Sequence, residues 1–176
     1  MKKIITIGGS NSKHSISKQL AEYAGDLINN VELINIDLSN YNLPLFSVDV
    51  ESENGFPEKA NELNELFDKA DGFIVSLAEH NGAYSVAFKN MFDWLSRIEG
   101  KVWRNKPMLL LATSPGARGG MTVLEIALGR FPYHGAEIVG HLSFPLFNEN
   151  FINSEIVNLE LKTSLVGLVE DFERAL

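Results

Sequence analysis

An apolar run ending in Gly, Ser and Asn and then giving way to apolar residues at helical spacing occurs three times in this chain, and little else about it constrains the fold as strongly. Ile4, Ile5 and Ile7 run into Gly8-Gly9-Ser10-Asn11-Ser12, after which Ile16, Leu20, Ala24, Leu27 and Ile28 keep a helical period. Residues 73–78 lead through Glu79 to Tyr84 into Phe88, Met91, Phe92, Leu95 and Ile98. Residues 108–113 lead through Ser114 to Gly120 into a helix expected from about Met121 to Arg130. Residues 31–36 and 138–144 supply two further strands. Parallel neighbours require crossover connections, and these are right-handed almost without exception, so alternating strands and helices imply an α/β, doubly wound, five-stranded parallel sheet covered on both faces. One domain is expected over residues 1–176. Ligands of such sheets sit beyond the carboxyl ends of the strands at the switch point, where the loops after strands one, three and four converge.

The remaining segments read less sharply. Leu43-Pro44-Leu45-Phe46 is too apolar for a plain solvent loop and either packs on the domain or meets another subunit. Residues 47–55 are polar and acidic and read as a mobile loop. Pro57 then opens a helix with the stripe Ala60, Leu63, Leu66, Phe67 and Ala70. Asn81-Gly82 is ordinarily a hairpin signal, but the strand before it and the helical pattern after it read as a strand-to-helix loop. Residues 145–151 form an apolar connection to a closing helix carrying Ile156, Leu159, Val166, Val169, Phe172 and Leu176.

Composition removes several functions. Lys and Arg number 15 against 23 Asp and Glu, a net charge of −8, and no basic stripe tracks a phosphate backbone, so no nucleic acid partner is expected. Without cysteine there are no disulfides, thiolate nucleophiles or cysteine metal sites, and redox chemistry has to come from a bound cofactor. The apolar run at residues 4–7 is too short for a secretory signal and no stretch is long enough for a bilayer, so a cytoplasmic protein without a membrane partner is expected. The four histidines are scattered and show no metal-ligand spacing.

The first loop suits an anion, because orphan N–H groups and the positive end of a helix dipole point out of a strand-to-helix junction. It is neither a P-loop, since Lys13 or His14 stands where the second glycine belongs, nor a Gly-x-Gly-x-x-Gly dinucleotide fingerprint. Ser10, Ser12, Ser15 and Ser17 form a hydroxyl-rich nest able to donate to a phosphate monoester, with Lys13 beside it. The competing reading has these serines only capping the helix. At the second loop Gly82 leaves room for a ring against bare main chain, and His80 and Tyr84 add flat surfaces. At the third, Ser114, Gly116, Gly119 and Gly120 read as a backbone donor surface, with Arg118 available to negative charge. No Gly-x-Ser-x-Gly elbow supports a serine hydrolase.

Taken together the loops resemble those of the NAD(P)H-dependent FMN reductase family of the flavodoxin superfamily, which includes quinone, azo-dye and chromate reductases. Gly9-Ser10-Asn11-Ser12-Lys13-His14-Ser15-Ile16-Ser17 is similar to its Gly-Ser-x-Arg-x-x-Ser-x-Asn motif. Residues 78–85, followed by Lys89-Asn90-Met91-Phe92-Asp93-Trp94, are similar to Pro-Glu-Tyr-Asn-Gly-Ser-x-Pro and Lys-Asn-x-x-Asp-Trp. Ser114 to Gly120 is similar to Ser-x-Gly-x-x-Gly-Gly, and residues 43–46 to Leu-Pro-Leu-Tyr. The family arginine and asparagine are Ser12 and Ser17 here, its tyrosine is His80, and its two prolines are Ala78 and Ser85.

The resemblance implies a flavodoxin-like strand order 2-1-3-4-5 and a ping-pong oxidoreductase that passes hydride from NADPH or NADH through FMN to a small-molecule acceptor. It places Ser10, Ser12, Ser15 and Ser17 at the phosphate and Glu79, His80, Asn81 and Gly82 along the ring, largely through main chain. Ser114, Gly116, Arg118 and Gly119 fall at the ring's other side. It also implies a homodimer or homotetramer formed near the second loop and its helix, with Arg97 at that interface and Trp94 either there or in the core. Two other readings remain open: an electron-transfer flavoprotein without nicotinamide turnover, and a flavin-free binding or regulatory relative.

Overall fold

The computed structural model describes all 176 residues. Strands β1 (Lys2–Gly8), β2 (Val31–Ile36), β3 (Gly72–His80), β5 (Lys106–Thr113) and β6 (Ala136–Phe144) pair in parallel in the order β2-β1-β3-β5-β6. The short β4 (Ala83–Tyr84) hooks antiparallel onto the end of β3. Counting the five long strands alone, the order is 2-1-3-4-5, as expected. Helices α1 (Ile16–Asp26), α2 (Val48–Asn54), α3 (Glu58–Asp68), α4 (Val86–Ile98), α5 (Met121–Arg130), α6 (Phe147–Asn150) and α7 (Leu159–Ala175) complete the chain, and none is long and apolar enough to cross a membrane.

Side chains alternate across a strand, so consecutive residues feed opposite layers. Ile5, Phe73, Val75 and Leu110 pack with Phe67, Phe88, Phe92, Trp103 and Phe131 under α3, α4 and α5. Ile4, Ile74, Leu109 and Leu111 pack with Leu20, Ala24, Leu165 and Phe172 under α1 and α7. Covered on both faces, residues 73–75 and 77 of β3 lose all solvent exposure, which is why this strand reads as a continuous apolar run.

Three expectations need correction. Residues 47–55 are not a loop without structure. Ser47 Oγ accepts from the Val50 N–H at 3.1 Å, Asp49 and Glu51 occupy the first turn, and Gly55 at φ 72° ends helix α2. The helix buries none of its residues, so it shows no apolar period. Asn81-Gly82 is both a hairpin and part of a strand-to-helix connection: φ values of 53° and 75° match a type I′ turn, His80 faces Ala83, and Ser85 starts α4 two residues later. Residues 145–151 contain α6 and lead into a second hairpin, β7 (Phe151–Ile152) with β8 (Glu155–Ile156).

The apolar segment at residues 43–46 packs on the body of the protein. Asn90 Oδ1 accepts from the Phe46 N–H at 2.8 Å, and Asn90 Nδ2 donates to the carbonyls of Pro44 at 3.0 Å and Leu43 at 3.3 Å. Trp94, fully buried, donates its indole N–H to the Pro44 carbonyl at 2.7 Å, and its ring meets Phe46 edge-on at 5.0 Å. Trp94 is therefore core, while Arg97 pairs with Glu51 at 2.8 Å. Asn90→Ala is expected to destabilise by about 1–2 kcal/mol and to speed amide exchange at Phe46, measured by urea titration and hydrogen exchange. Unchanged exchange at Phe46 would show that Asn90 does not hold the strap.

Candidate functional site

The first loop is built by close approach. A Cβ on Gly9 would lie 2.7 Å from the Ala78 nitrogen, so the bare backbone of Gly9 lies directly against β3, and its N–H donates to the Ser76 carbonyl at 2.8 Å. Its carbonyl accepts from the buried Ser85 hydroxyl at 2.6 Å, and Ser85 Oγ also accepts from the Phe88 N–H to cap α4. One serine thereby ties the first loop to the second.

The serines of the nest already serve as acceptors. Ser10 Oγ accepts from the Ser12 N–H at 3.1 Å, Ser12 Oγ from the His14 N–H at 3.3 Å, and Ser15 Oγ from the Lys18 N–H at 3.1 Å as the N-cap of α1. Accepting a bond leaves a hydroxyl its own proton. Ser15 and Ser17 share one bond at 2.9 Å, so only one of their two protons is free. Both serines are buried, and either hydroxyl can be the donor of that bond. The capping and anion-donor readings are compatible. Lys18 does not face the loop: it pairs with Asp37 at 2.5 Å. Burial alone would raise the Asp37 carboxyl, but bonds from Lys18 and the Ser39 N–H hold it below its ordinary range.

A cleft of about 280 Å³ brings together Ser10, Ser12, Ser15, Ser17, Glu79, His80 and Ser114. The sequence reading missed His14 and Thr113 in its wall. His14 was a visible polar member of the loop, whereas Thr113 was hidden as the last residue of an apolar strand. Asn81, Gly82, Gly116, Arg118 and Gly119 do not line the cleft. Asn81 and Gly82 form the apex of the hairpin beside it, and a Cβ on Gly82 would meet only Thr122 Cγ2 at 3.8 Å.

The third loop is less of a donor surface than expected. The Gly119 N–H is spent on the Gly116 carbonyl at 3.2 Å, and Ser143 Oγ donates to the Arg118 and Gly119 carbonyls at 2.9 and 3.1 Å. Gly119 is required for packing instead, with φ at 57° and a Cβ position 2.6 Å from Ser143 Oγ. The exposed Arg118 side chain makes one bond, to Thr122 Oγ1 at 3.3 Å. Glu79 has a role the sequence did not suggest. Its Oε2 accepts from the Val123 N–H at 3.0 Å, satisfying a donor of the first turn of α5, where the N-cap Gly120 offers no side chain. The carboxylate thus joins the second loop to the third, and its main chain is held in the hairpin opposite Tyr84. Burial pushes the Tyr84 hydroxyl up to about 12, so it stays protonated at neutral pH.

The nest offers an anion the protons of Ser10 and Ser12 and one from the Ser15–Ser17 pair beside the first turn of α1, in a cleft walled farther along by the hairpin and Ser114. That donor set fits a phosphate monoester.

Residues 2–149 match the family described as NADPH-dependent FMN reductase. A quinone reductase of Escherichia coli K12 is 29% identical over 157 residues, covering 89% of this chain and 79% of that protein. An NADPH azoreductase of Bacillus sp. OY1-2 is 34% identical over 123 residues, 70% of this chain and 65% of the relative. In fold the chain is similar to FerB, a flavoenzyme NAD(P)H:(acceptor) oxidoreductase from Paracoccus denitrificans, with a TM-score of 0.79, 22% identity and coverage of 99% and 97% of the two chains. The chain belongs to the NADPH-dependent FMN reductase family and is an NAD(P)H-dependent oxidoreductase that works with FMN.

Proposed function

We propose that this protein reduces a quinone, azo compound, metal oxyanion or free flavin at the expense of NADPH or NADH, in the cytoplasm, as a homodimer or homotetramer. The carrying observation is the serine nest, whose hydroxyls are oriented by the backbone bonds they accept and keep their protons for a phosphate. Bound FMN would supply the redox chemistry of a ping-pong sequence between nicotinamide and acceptor, and the serine nest and the second and third loops would hold it.

The chain's own residues bind and orient. Ser10, Ser12 and the hydrogen-bonded pair of Ser15 and Ser17 hold the phosphate. Glu79, His80, Asn81 and Gly82 give the ring a rigid edge, because the Glu79 carboxylate and the type I′ turn leave that edge little freedom. Ser114, Gly116, Gly119 and Arg118 close the opposite side. No side chain need act as acid or base toward the ring, and preorganised proximity is the main contribution.

Titration of FMN into flavin-free protein, followed by anaerobic addition of NADPH or NADH, tests the reading. FMN binding with bleaching of its visible absorbance is the expected result. Absence of FMN binding at high micromolar concentration would point to a flavin-free relative. Binding without bleaching by either nicotinamide would point to an electron-transfer flavoprotein.

A further inference from the structure

The serine cleft has hydroxyls enough for a phosphate but little positive charge. No Lys or Arg lines it, and the one carboxylate in its wall, that of Glu79, adds a negative charge. Ser12 stands where the family pattern has its arginine, and Lys13 lies outside the wall. On α1, Lys18 is spent on Asp37 at 2.5 Å, and on the third loop Arg118 bonds Thr122 and does not line the cleft. Two imidazoles of the wall remain. His80 ends β3, where it faces Ala83 in the hairpin, and His14 stands directly before Ser15, the N-cap of α1. The His14 backbone N–H is fixed on Ser12 Oγ at 3.3 Å, and its ring makes no hydrogen bond within the chain.

We infer that His14 is the cation of the phosphate site, and that it takes up a proton as the phosphate binds. A phosphate monoester brings about two negative charges at neutral pH. The hydroxyl protons and the positive end of α1 answer part of that charge, while the Glu79 carboxylate and a net charge of −8 oppose it. Before the phosphate arrives, that same helix end repels an imidazolium. With the phosphate in place the local field changes sign, the charged ring is favoured, and its N–H donates a charge-assisted bond to a phosphate oxygen. Imidazole is the side chain able to make that change near neutrality, so the cleft carries no fixed cation beforehand. A proton gained on binding means affinity that falls as pH rises through the imidazole's range. The phosphate's own second ionisation, at about pH 6, works in the opposite direction, because a site that prefers the dianion expels its last proton. An arginine would confer no such uptake. The inference rests on the proposed function, since it deepens the phosphate contact on which that reading stands.

FMN and riboflavin are titrated calorimetrically into the flavin-free protein at about pH 7, in two buffers of different ionisation heat, which yields the protons exchanged on binding. Net uptake with FMN and none with riboflavin is expected. His14→Gln should abolish the uptake and weaken FMN about three- to tenfold at that pH while sparing riboflavin. His14→Arg should also abolish the uptake but keep FMN affinity, a rescue that a merely structural role for His14 would not give. Lys13→Gln and His80→Gln should leave the uptake in place. FMN binding without uptake in the parent, uptake that survives His14→Gln, or uptake lost on changing Lys13 or His80 instead would overturn the inference. A protein with any of those results that still binds FMN and is bleached by NADPH keeps the proposed function and loses only this assignment. Failure to bind FMN at all removes both.

Discussion

Replacing Ser10 and Ser15 together by alanine is expected to weaken FMN by about 2–4 kcal/mol, roughly 30- to 1,000-fold in Kd, while riboflavin loses much less. The size follows from what the two hydroxyls donate to. A hydrogen bond to a charged acceptor is worth about 1.5–3 kcal/mol, and the phosphate is the only charged part of the ligand. Riboflavin lacks it, so the difference between the two ligands isolates the nest from any general damage to the cleft. Some damage is expected, because Ser15 also caps α1 through the Lys18 N–H, and losing that cap costs about 1 kcal/mol of stability. Binding is therefore measured well below the melting transition, by fluorescence quenching of each flavin. Ser17→Ala should show a smaller form of the same pattern, since Ser17 shares a single hydrogen bond with Ser15 and has no exposure. Equal losses for FMN and riboflavin in the double variant would mean that the phosphate lies elsewhere.

What made these residues findable was the strand-to-helix grammar, and what it concealed has a consistent physical cause. Ile4, Ile5 and Ile7 announce a strand because both faces of β1 are covered, and the loop that follows is marked by small polar residues that no core position would choose. Helix α2 escaped because its stability is local: Ser47 and Gly55 cap a segment that buries nothing, so no hydrophobic period betrays it. Glu79 illustrates a different limit. Its carboxylate caps a helix 44 residues away along the chain, and only the three-dimensional approach of the second and third loops reveals that partner.

Gly119 belongs with Glu79. As one of several glycines in a loop it looked like a donor, but its N–H is spent on the Gly116 carbonyl and its missing side chain makes room for Ser143 and Pro145. A cavity of about 560 Å³ beside Tyr41 and Asn42 was equally hidden, since it is walled by a loop after β2 that carries no glycine-serine cluster and becomes a wall only when Asn90 straps residues 43–46 onto α4. Strand and loop identities are thus properties of short windows, while the commitments of side chains within the site depend on which loops the sheet order makes neighbours.

Gly8→Ala is expected to destabilise the protein by about 2–3 kcal/mol, a fall of roughly 4–12 °C in Tm for a chain of this size, and to weaken FMN as well. The added methyl would lie 2.5 Å from the Lys18 nitrogen and Cα, and 2.7 Å from its Cβ. Two of those atoms are helix backbone, so no rotamer change relieves the contact. Helix α1 must move away from the end of β1, and it carries Leu20, Ala21 and Ala24, all without exposure, on its inner face. Movement there also disturbs the Ser15 cap and the Lys18–Asp37 pair, which is why affinity should fall together with stability. Gly167→Ala provides the contrast: the same methyl is added within α7, where nothing lies within 4 Å, and the better helix propensity of alanine should stabilise by about 0.5–1 kcal/mol. Thermal and urea denaturation of the two variants therefore move in opposite directions if packing at the β1–α1 junction governs the effect. A Gly8→Ala protein as stable as its parent, with unchanged FMN affinity, would show that α1 can retreat without cost and that the nest does not depend on this approach.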